Sequence, residues 1–539
     1  MRKLQYLLIT ILITTSLNAQ NYVSKVWVAD QGNGTYKNPI LYADYSDPDV
    51  CRVGDDYYMT SSSFNCIPGL PILHSKDLVN WELIGAAVPK QTPEEVFNNP
   101  QHGNGIWAPS IRYHNNEFYI FYGDPDYGIY MTKAKKAEGP WEPLVLVKEG
   151  KGLIDACPLW DDDGRVYCVH AYAGSRASFK SVLSVFEMNA DATKAITEDV
   201  IIFDGHEKHP TIEGPKFYKK DGYYYIFTPG GGVPTGWQIV LKSKNVYGPY
   251  DDKIVLAQGD TKINGPHQGG WVTTQTGEDW FIHFQEVEAL GRIVHLEPMV
   301  WKNDWPVMGI DKDGDGTGEP VLTYKKPNVG KTYPICTPAE NDEFDDLKLG
   351  YQWQWQGNSS PLWIFNDVKR GMMRLYSVPV DKDYKNLWDC PNLLLQKTPG
   401  PEFTTTVKLT FQPNPENKGE RAGFVVMGRD YGVVAIEDTE EGLVLSQSFC
   451  KSADKGKTEV VNESVPLKES TIYLKLKLNK DLTCQFSYSL NGKKFTNIGS
   501  EFKAREGMWI GTKVGLFINR HKYHKDAGWI DVDWFRFDK

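Results

Sequence analysis

Three things are scarce in this sequence, and each shortage removes a class of protein. Beyond residue 20 no segment reaches about 18 uninterrupted apolar residues, the length a helix needs to cross a bilayer, so no membrane insertion is expected. Positive charge is also short: 59 Lys and Arg stand against 69 Asp and Glu, a net charge of −10. That balance argues against a nucleic-acid partner, whose phosphates need clustered cations, and against an anionic membrane surface. Cysteine is thin, with eight spread over 539 residues and no CxxC or other metal-ligand spacing. Several lie in apolar strand context, where free cysteine behaves as a small hydrophobe, so unpaired core cysteines are expected rather than a disulfide framework.

What is present points to a β protein. The chain is too long for one ordinary core and should divide into two or more domains. Hydrophobic residues make up 41% and charged residues 24%, an ordinary globular balance. Aromatics reach 13%, with 17 Trp and 29 Tyr, mostly in short β-branched runs separated by Gly, Asp and Asn. At the N-terminus Arg2 and Lys3 precede the apolar residues 7–13, and small or polar residues follow to Asn18-Ala19-Gln20. This is the layout of a secretory signal peptide, residues 1–19, and predicts an exported protein, periplasmic or secreted.

A repeat organises the first three hundred residues. A polar turn followed by aromatics and a β run occurs five times. The copies are Gly54-Asp55-Asp56-Tyr57-Tyr58, Asn115-Asn116-Glu117-Phe118-Tyr119, Asp162-Asp163-Gly164-Arg165-Val166-Tyr167, Lys220-Asp221-Gly222-Tyr223-Tyr224-Tyr225 and Gly277-Glu278-Asp279-Trp280-Phe281. From Tyr58 to Tyr119, Tyr167, Tyr225 and Phe281 the steps are 61, 48, 58 and 56 residues. Each copy reads as a hairpin. Five units of about four strands each predict a five-bladed β-propeller, here placed at residues 20–330.

The same phase picks out five residues ahead of these hairpins: Asp47, Trp107, Asp155, Glu213 and His267. Equivalent positions of successive blades surround the central axis, so these five are expected to converge. Asp47 precedes Pro48, which disfavours helical backbone and predicts an extended Asp47 leading into a strand. Convergent carboxylates can divide acid and base roles when their surroundings separate their pKa values, the arrangement glycoside hydrolysis uses. A third carboxylate keeps the acid protonated by like-charge repulsion. Taken singly, each Asp also reads as a turn residue at a strand end, and Glu213 as a solvated strand residue.

The motifs Asn38-Pro39-Ile40-Leu41, Ser46-Asp47-Pro48-Asp49-Val50, Pro68-Gly69-Leu70-Pro71-Ile72, Gly105-Ile106-Trp107-Ala108-Pro109-Ser110-Ile111, Ile154-Asp155, Ile212-Glu213-Gly214-Pro215 and Gly265-Pro266-His267 occur in this order. Over about residues 35–325 the chain therefore resembles glycoside hydrolase family 43, five-bladed propeller enzymes acting on arabinose- and xylose-containing polysaccharides. The resemblance implies Asp47 as general base, Asp155 as the residue that tunes the acid and orients the sugar, and Glu213 as general acid. It implies Arg292 near the sugar and the tuning Asp, and Phe64 and Trp107 as pocket walls; propeller core packing is the competing role for both aromatics. It implies inversion at the anomeric carbon, and a calcium ion or its water shell beside His267, a structural cofactor of the channel. Ile154-Asp155-Ala156-Cys157 departs from the Asp-Pro-Ser of many relatives, which leaves the Asp in place and puts the local turn in question. A rival calcium candidate, Asp311-Lys312-Asp313-Gly314-Asp315-Gly316, fits half an EF-hand loop, but Leu322 stands at its twelfth position, and a β-turn is the preferred reading.

After residue 330 the texture changes. Residues 340–539 alternate apolar and polar in short runs, as in Phe403-Thr404-Thr405-Thr406-Val407-Lys408-Leu409, the pattern of half-buried antiparallel sheets and hence of a β-sandwich. It resembles the lectin-like (concanavalin-type) sandwich that many β-xylosidase-type members carry. In those it closes one side of the pocket, and a loop near Gly515-Leu516-Phe517 is the candidate here. The expectation is an all-β, exo-acting inverting glycosidase that releases terminal α-L-arabinofuranosyl, or β-D-xylosyl, units from plant cell-wall polysaccharide or oligosaccharide. The alternative is a non-catalytic glycan-binding protein on the same architecture.

Overall fold

The structure is a computed structural model that describes residues 21–523 and 526–539; the signal-peptide reading falls outside the described residues. Between residues 49 and 308 the strands form five antiparallel four-stranded sheets, each in chain order. Their innermost strands are Asp49–Val53, Trp107–His114, Leu153–Trp160, Lys216–Lys220 and His267–Thr273. The polar repeats are the reversals from each of these strands to the next. Asn115 and Asn116 have φ of 49° and 63°, and Asp221 and Gly222 have 50° and 77°. Positive φ at both positions gives the two-residue turn whose twist matches the flanking strands, and Asn, Asp and Gly tolerate it best. The other three reversals each carry one positive-φ glycine, Gly54, Gly164 and Gly277.

Adjacent blades share apolar cores and are stitched near the axis. Ile154, Val169 and Leu183 of the third blade pack with Phe217, Ile226 and Leu241 of the fourth. Each such buried side chain contributes about 1.5–3 kcal/mol relative to exposure. Asp49, fully buried, accepts from the Ile111 N–H at 2.8 Å and from Arg112 Nη1 at 2.6 Å, tying the first blade to the second. The ring closes without sharing a strand between blades. Thr35–Lys37 pairs instead with Thr323–Lys325, and Leu41 bridges Val294 of the fifth blade. Lys326 Nζ sits 2.5 Å from Asp30 and 2.8 Å from Asp77, fastening both ends of the propeller to its first blade.

The C-terminal region is a β-sandwich of an eight-stranded and a seven-stranded sheet. Phe403–Gln412 and Thr471–Leu478 alternate buried and half-exposed residues as the sequence pattern requires. Their inward faces join Phe424, Phe486, Phe535 and Phe537 in the core. Sandwich and propeller meet through backbone pairs: Ile67 and Trp355 exchange N–H···O bonds of 3.0 and 2.6 Å, and the Thr512 N–H donates to the Ala289 carbonyl at 2.7 Å. The His102 ring stacks on Trp388 at 3.6 Å. Residues at the start of the described chain belong with this second unit: Ser24 Oγ donates to Glu340 at 2.7 Å, and Val26 lies in the sandwich core. All eight cysteines are unpaired, and all but Cys51 are buried.

Candidate active site

Asp47, Asp155, Glu213, Trp107, Phe64 and Arg292 line one pocket of about 110 Å³ at the head of the propeller axis. Each of the five phase-related residues starts, or lies just before or within, the inner strand of a different blade. A separate cavity of about 70 Å³ between the domains, beside Trp27, Tyr45, Trp81 and Glu340, lacks any comparable set of carboxylates.

Asp47 is not extended. Its φ is 54°, and the strand begins two residues later at Asp49. The following proline does exclude helical backbone, but Asp is among the few residues that enter the left-handed region, and the local bonds hold it there. Ser46 Oγ and Ser62 Oγ donate to its Oδ2 at 2.7 and 2.5 Å, and Arg292 Nη1 approaches both carboxylate oxygens at 3.2 and 3.4 Å. These donors complement a negative charge.

Asp155 also has positive φ, 61°, at a bulge between Ile154 and Cys157. The bulge turns its carboxylate to the axis, where Oδ2 accepts the Gly214 N–H at 2.7 Å. The Ala156-Cys157 departure leaves this geometry intact, since the Ala156 carbonyl accepts from Ser110 and Cys157 Sγ from the Phe217 N–H. Burial raises the Asp155 pKa and the neighbouring Asp47 raises it further, against the Gly214 N–H and the charge of Lys216.

Glu213 sits between buried Ile212 and Gly214, with its carbonyl held by Thr228 Oγ1 at 2.5 Å. Its side chain is 25% exposed. Burial pushes its pKa up to about 8, with Asp155 and Asp47 adding like-charge repulsion and Arg292 and Lys180 opposing. A group in this state carries its proton at neutral pH.

His267 is fully buried, with Nε2 at 3.5 Å from Glu213 Oε1 and neither ring nitrogen hydrogen-bonded. Burial, Arg292 and His283 hold its pKa down to about 3, so the imidazole is neutral. One neutral nitrogen does not fit a directly held calcium ion, which takes six to eight oxygens. Among the described residues, the one cluster of three side chains spaced to hold a metal is Asp311, Asp313 and Asp315, on the loop after the last propeller strand.

Arg292 lies in the same pocket as Asp155, whose pKa its charge lowers, but its hydrogen bonds go elsewhere. Its Nη1 bonds Ser46 at 2.8 Å and Asp47, not Asp155, while its guanidinium faces Phe284 at 4.9 Å and Trp509 at 6.0 Å. Trp107 donates Nε1–H to the Gly103 carbonyl at 2.7 Å, and Phe64 is 3% exposed and paired with Ile106.

Trp509 is the functional residue the sequence did not yield. It comes from the sandwich, in the loop between Thr496–Lys503 and Lys513–Arg520, and meets Trp107 edge-on at 6.4 Å. The loop that closes the pocket is therefore this one; Gly515-Leu516-Phe517 lie inside a wholly buried strand. Nothing local to Gly507-Met508-Trp509 signals proximity to Trp107, four hundred residues earlier. Gln268 also lines the pocket, with Oε1 buried and unpartnered, and its place beside His267 was the available signal.

The chain is similar to known proteins along nearly its whole length. The family description "Glycosyl hydrolases family 43" matches residues 36–306, and "Beta xylosidase C-terminal Concanavalin A-like domain" matches residues 341–538. A protein of Xylanibacter ruminicola named putative beta-xylosidase is 38% identical over 498 residues, 91% of this chain and 88% of its own. A non-reducing end alpha-L-arabinofuranosidase of Bacteroides ovatus is 31% identical, over 95% of this chain and 97% of its own. The crystal structure of a xylan beta-1,4-xylosidase from Bacillus halodurans superposes with a TM-score of 0.82 at 25% identity, over 93% of this chain and all of that one.

Proposed function

The chain belongs to glycosyl hydrolase family 43, and from that premise we propose that it removes one terminal pentosyl unit, α-L-arabinofuranosyl or β-D-xylosyl, with inversion, from plant cell-wall polysaccharide or oligosaccharide. The observation that carries this reading is the contrast between two carboxyl groups in one pocket. Glu213 is raised to about 8, while Asp47 is surrounded by donors.

In the proposed reaction Glu213 gives its proton to the glycosidic oxygen as the bond to the anomeric carbon breaks. Asp47 takes a proton from a water whose oxygen forms the new bond to that carbon from the opposite face. One glycoside and one water give one free sugar and one alcohol. Asp155 keeps Glu213 protonated and orients the sugar, and Arg292 holds Asp47. Inversion needs room for the water, roughly 6.5–9.5 Å between the two carboxyls. The walls formed by Phe64, Trp107 and Trp509 support action at a chain end, because they leave little space for a polymer to pass through.

The names of the relatives support both pentoses: the one 38% identical is named a putative beta-xylosidase and the one 31% identical an arabinofuranosidase. The test is turnover of an α-L-arabinofuranosyl and a β-D-xylosyl oligosaccharide, whose leaving groups need protonation, by the wild type and by Glu213→Ala. Turnover on at least one substrate and its loss in the variant is expected. No wild-type turnover on either, or full activity in the variant, would contradict the assignment of Glu213.

Two further readings need their own tests. Export is supported by the basic, apolar and Ala19 pattern at the N-terminus, and N-terminal sequencing of the native protein should begin near Gln20. A calcium ion near His267 would need water for most of its ligands. Activity lost on EDTA dialysis and restored by calcium alone would support it, and unchanged activity would count against it.

A further inference from the structure

Cys66 and Lys513 meet where the propeller and the sandwich join. Lys513 Nζ lies 3.0 Å from Cys66 Sγ and 2.8 Å from Gln354 Oε1. The two residues are 3% and 4% exposed. Among the described residues no carboxylate lies within ion-pair distance of Lys513, so this sealed nitrogen has a thiol and a neutral amide as its partners. Beside the pair is a void of about 10 Å³, bordered by Leu395, Met427, Ile510 and Trp388 as well as by Cys66 and Lys513. It has room for about one water-sized molecule, and Asn65, His102 and Gln356 also line it.

We propose that Cys66 and Lys513 form a covalent modification site, in which dioxygen links the side chains through a nitrogen–oxygen–sulfur bridge. Thiol, neutral amine and dioxygen give the S–O–N link and one water. The S–H bond, one N–H bond and the O–O bond break, and an S–O bond, an O–N bond and the two O–H bonds of water form. Sulfur and nitrogen each lose two electrons, and dioxygen takes up four. Two equivalents of a dithiol reverse the step and return thiol, amine and a second water. The geometry meets the demand that the two atoms already touch, with space beside them for the oxidant.

The bridge would join the two walls of the pocket. Cys66 is two residues from Phe64, and Lys513 is four from Trp509, on opposite sides of the domain interface. Their linkage fixes the sandwich loop against the propeller loop, and restrains a separation of 447 residues along the chain.

The test is peptide mass mapping of the full-length protein purified in air, and of the same protein kept in dithiothreitol. The expected result in air is one linked species holding Cys66 and an uncleaved Lys513. It is heavier than the two free peptides by one oxygen less two hydrogens, about 14 Da. It should vanish on reduction and be absent from Cys66→Ser and Lys513→Arg. The thermal unfolding midpoint of wild type should fall on reduction by on the order of 5 °C, a shift both variants lack. Air-exposed wild type whose Cys66 alkylates fully after denaturation, with no linked peptide, would overturn the proposal. Cys66 recovered only as an unlinked sulfenic or sulfinic acid would overturn it too.

Discussion

Glu213 and Asp47 face the same cavity with opposite kinds of neighbour. Glu213 has a neutral imidazole and two carboxyls around it; Asp47 has two hydroxyls and a guanidinium. If Glu213 is the acid, Glu213→Gln should lower kcat/KM on a pentosyl oligosaccharide by about 10²–10⁴-fold. The loss should be much smaller on a nitrophenyl glycoside, whose leaving group needs little protonation. Asp47→Asn should lose activity on both, because water activation does not depend on the leaving group. Comparing the two variants on the two substrates checks the division of roles. The pH profile follows from the same residue: kcat/KM of wild type should decline as pH rises past about 8, where Glu213 gives up its proton. Stability has the same sign. Raised above the 4.5 of an ordinary Glu, Glu213 binds more proton in the folded state, so its contribution is whole at acid pH and is lost as pH rises towards about 8. Denaturant titrations at pH 5 and 8.5 should show a smaller drop for Glu213→Gln than for wild type.

At the scale of the element, the inner strands and their entries position the chemistry. Asp47 and Asp155 sit at positive φ and Glu213 precedes Gly214, whose φ is 59°. A Cβ on Gly214 would lie 2.5 Å from Gln268 Cγ. Gly214→Ala should therefore shift the Glu213 turn against Gln268 and lower kcat/KM by about 10²-fold, as a misplacement near 1 Å does. The unfolding midpoint should drop by only a few degrees, since the blade cores are untouched. Steady-state kinetics beside a thermal melt checks this. The blades were legible because each begins with the same polar reversal, and the phase of Asp47, Trp107, Asp155, Glu213 and His267 followed from that period alone. Backbone detail was not. Asp47 before Pro48 reads as extended because proline restricts its predecessor, yet the bonds to Ser46, Ser62 and Arg292 select the left-handed conformation. Those partners are set by tertiary structure: Arg292 lies on a different blade, and no local signal assigns it to Asp47 over Asp155.

For the whole molecule, the sandwich contributes Trp509 to the pocket that holds Asp47, Asp155 and Glu213. Trp509 meets Trp107 edge-on at the pocket wall, and paired backbone at Ile67 and Trp355 fixes the two domains. Trp509→Ala should raise KM several-fold with a smaller change in kcat and an unaltered melt, because the residue is 51% exposed. Initial-rate kinetics checks it. The alternating strands of residues 340–539 announced a sandwich, but which of its loops reaches the propeller depends on packing between distant parts of the chain. In the proposed reaction Glu213 and Asp47 act in a single displacement from opposite sides of the anomeric carbon. The most direct measurement is proton NMR of the sugar as wild-type enzyme releases it, before mutarotation. The account predicts that the first-formed sugar has the configuration opposite to that of the glycoside consumed; initial release with retained configuration would contradict it.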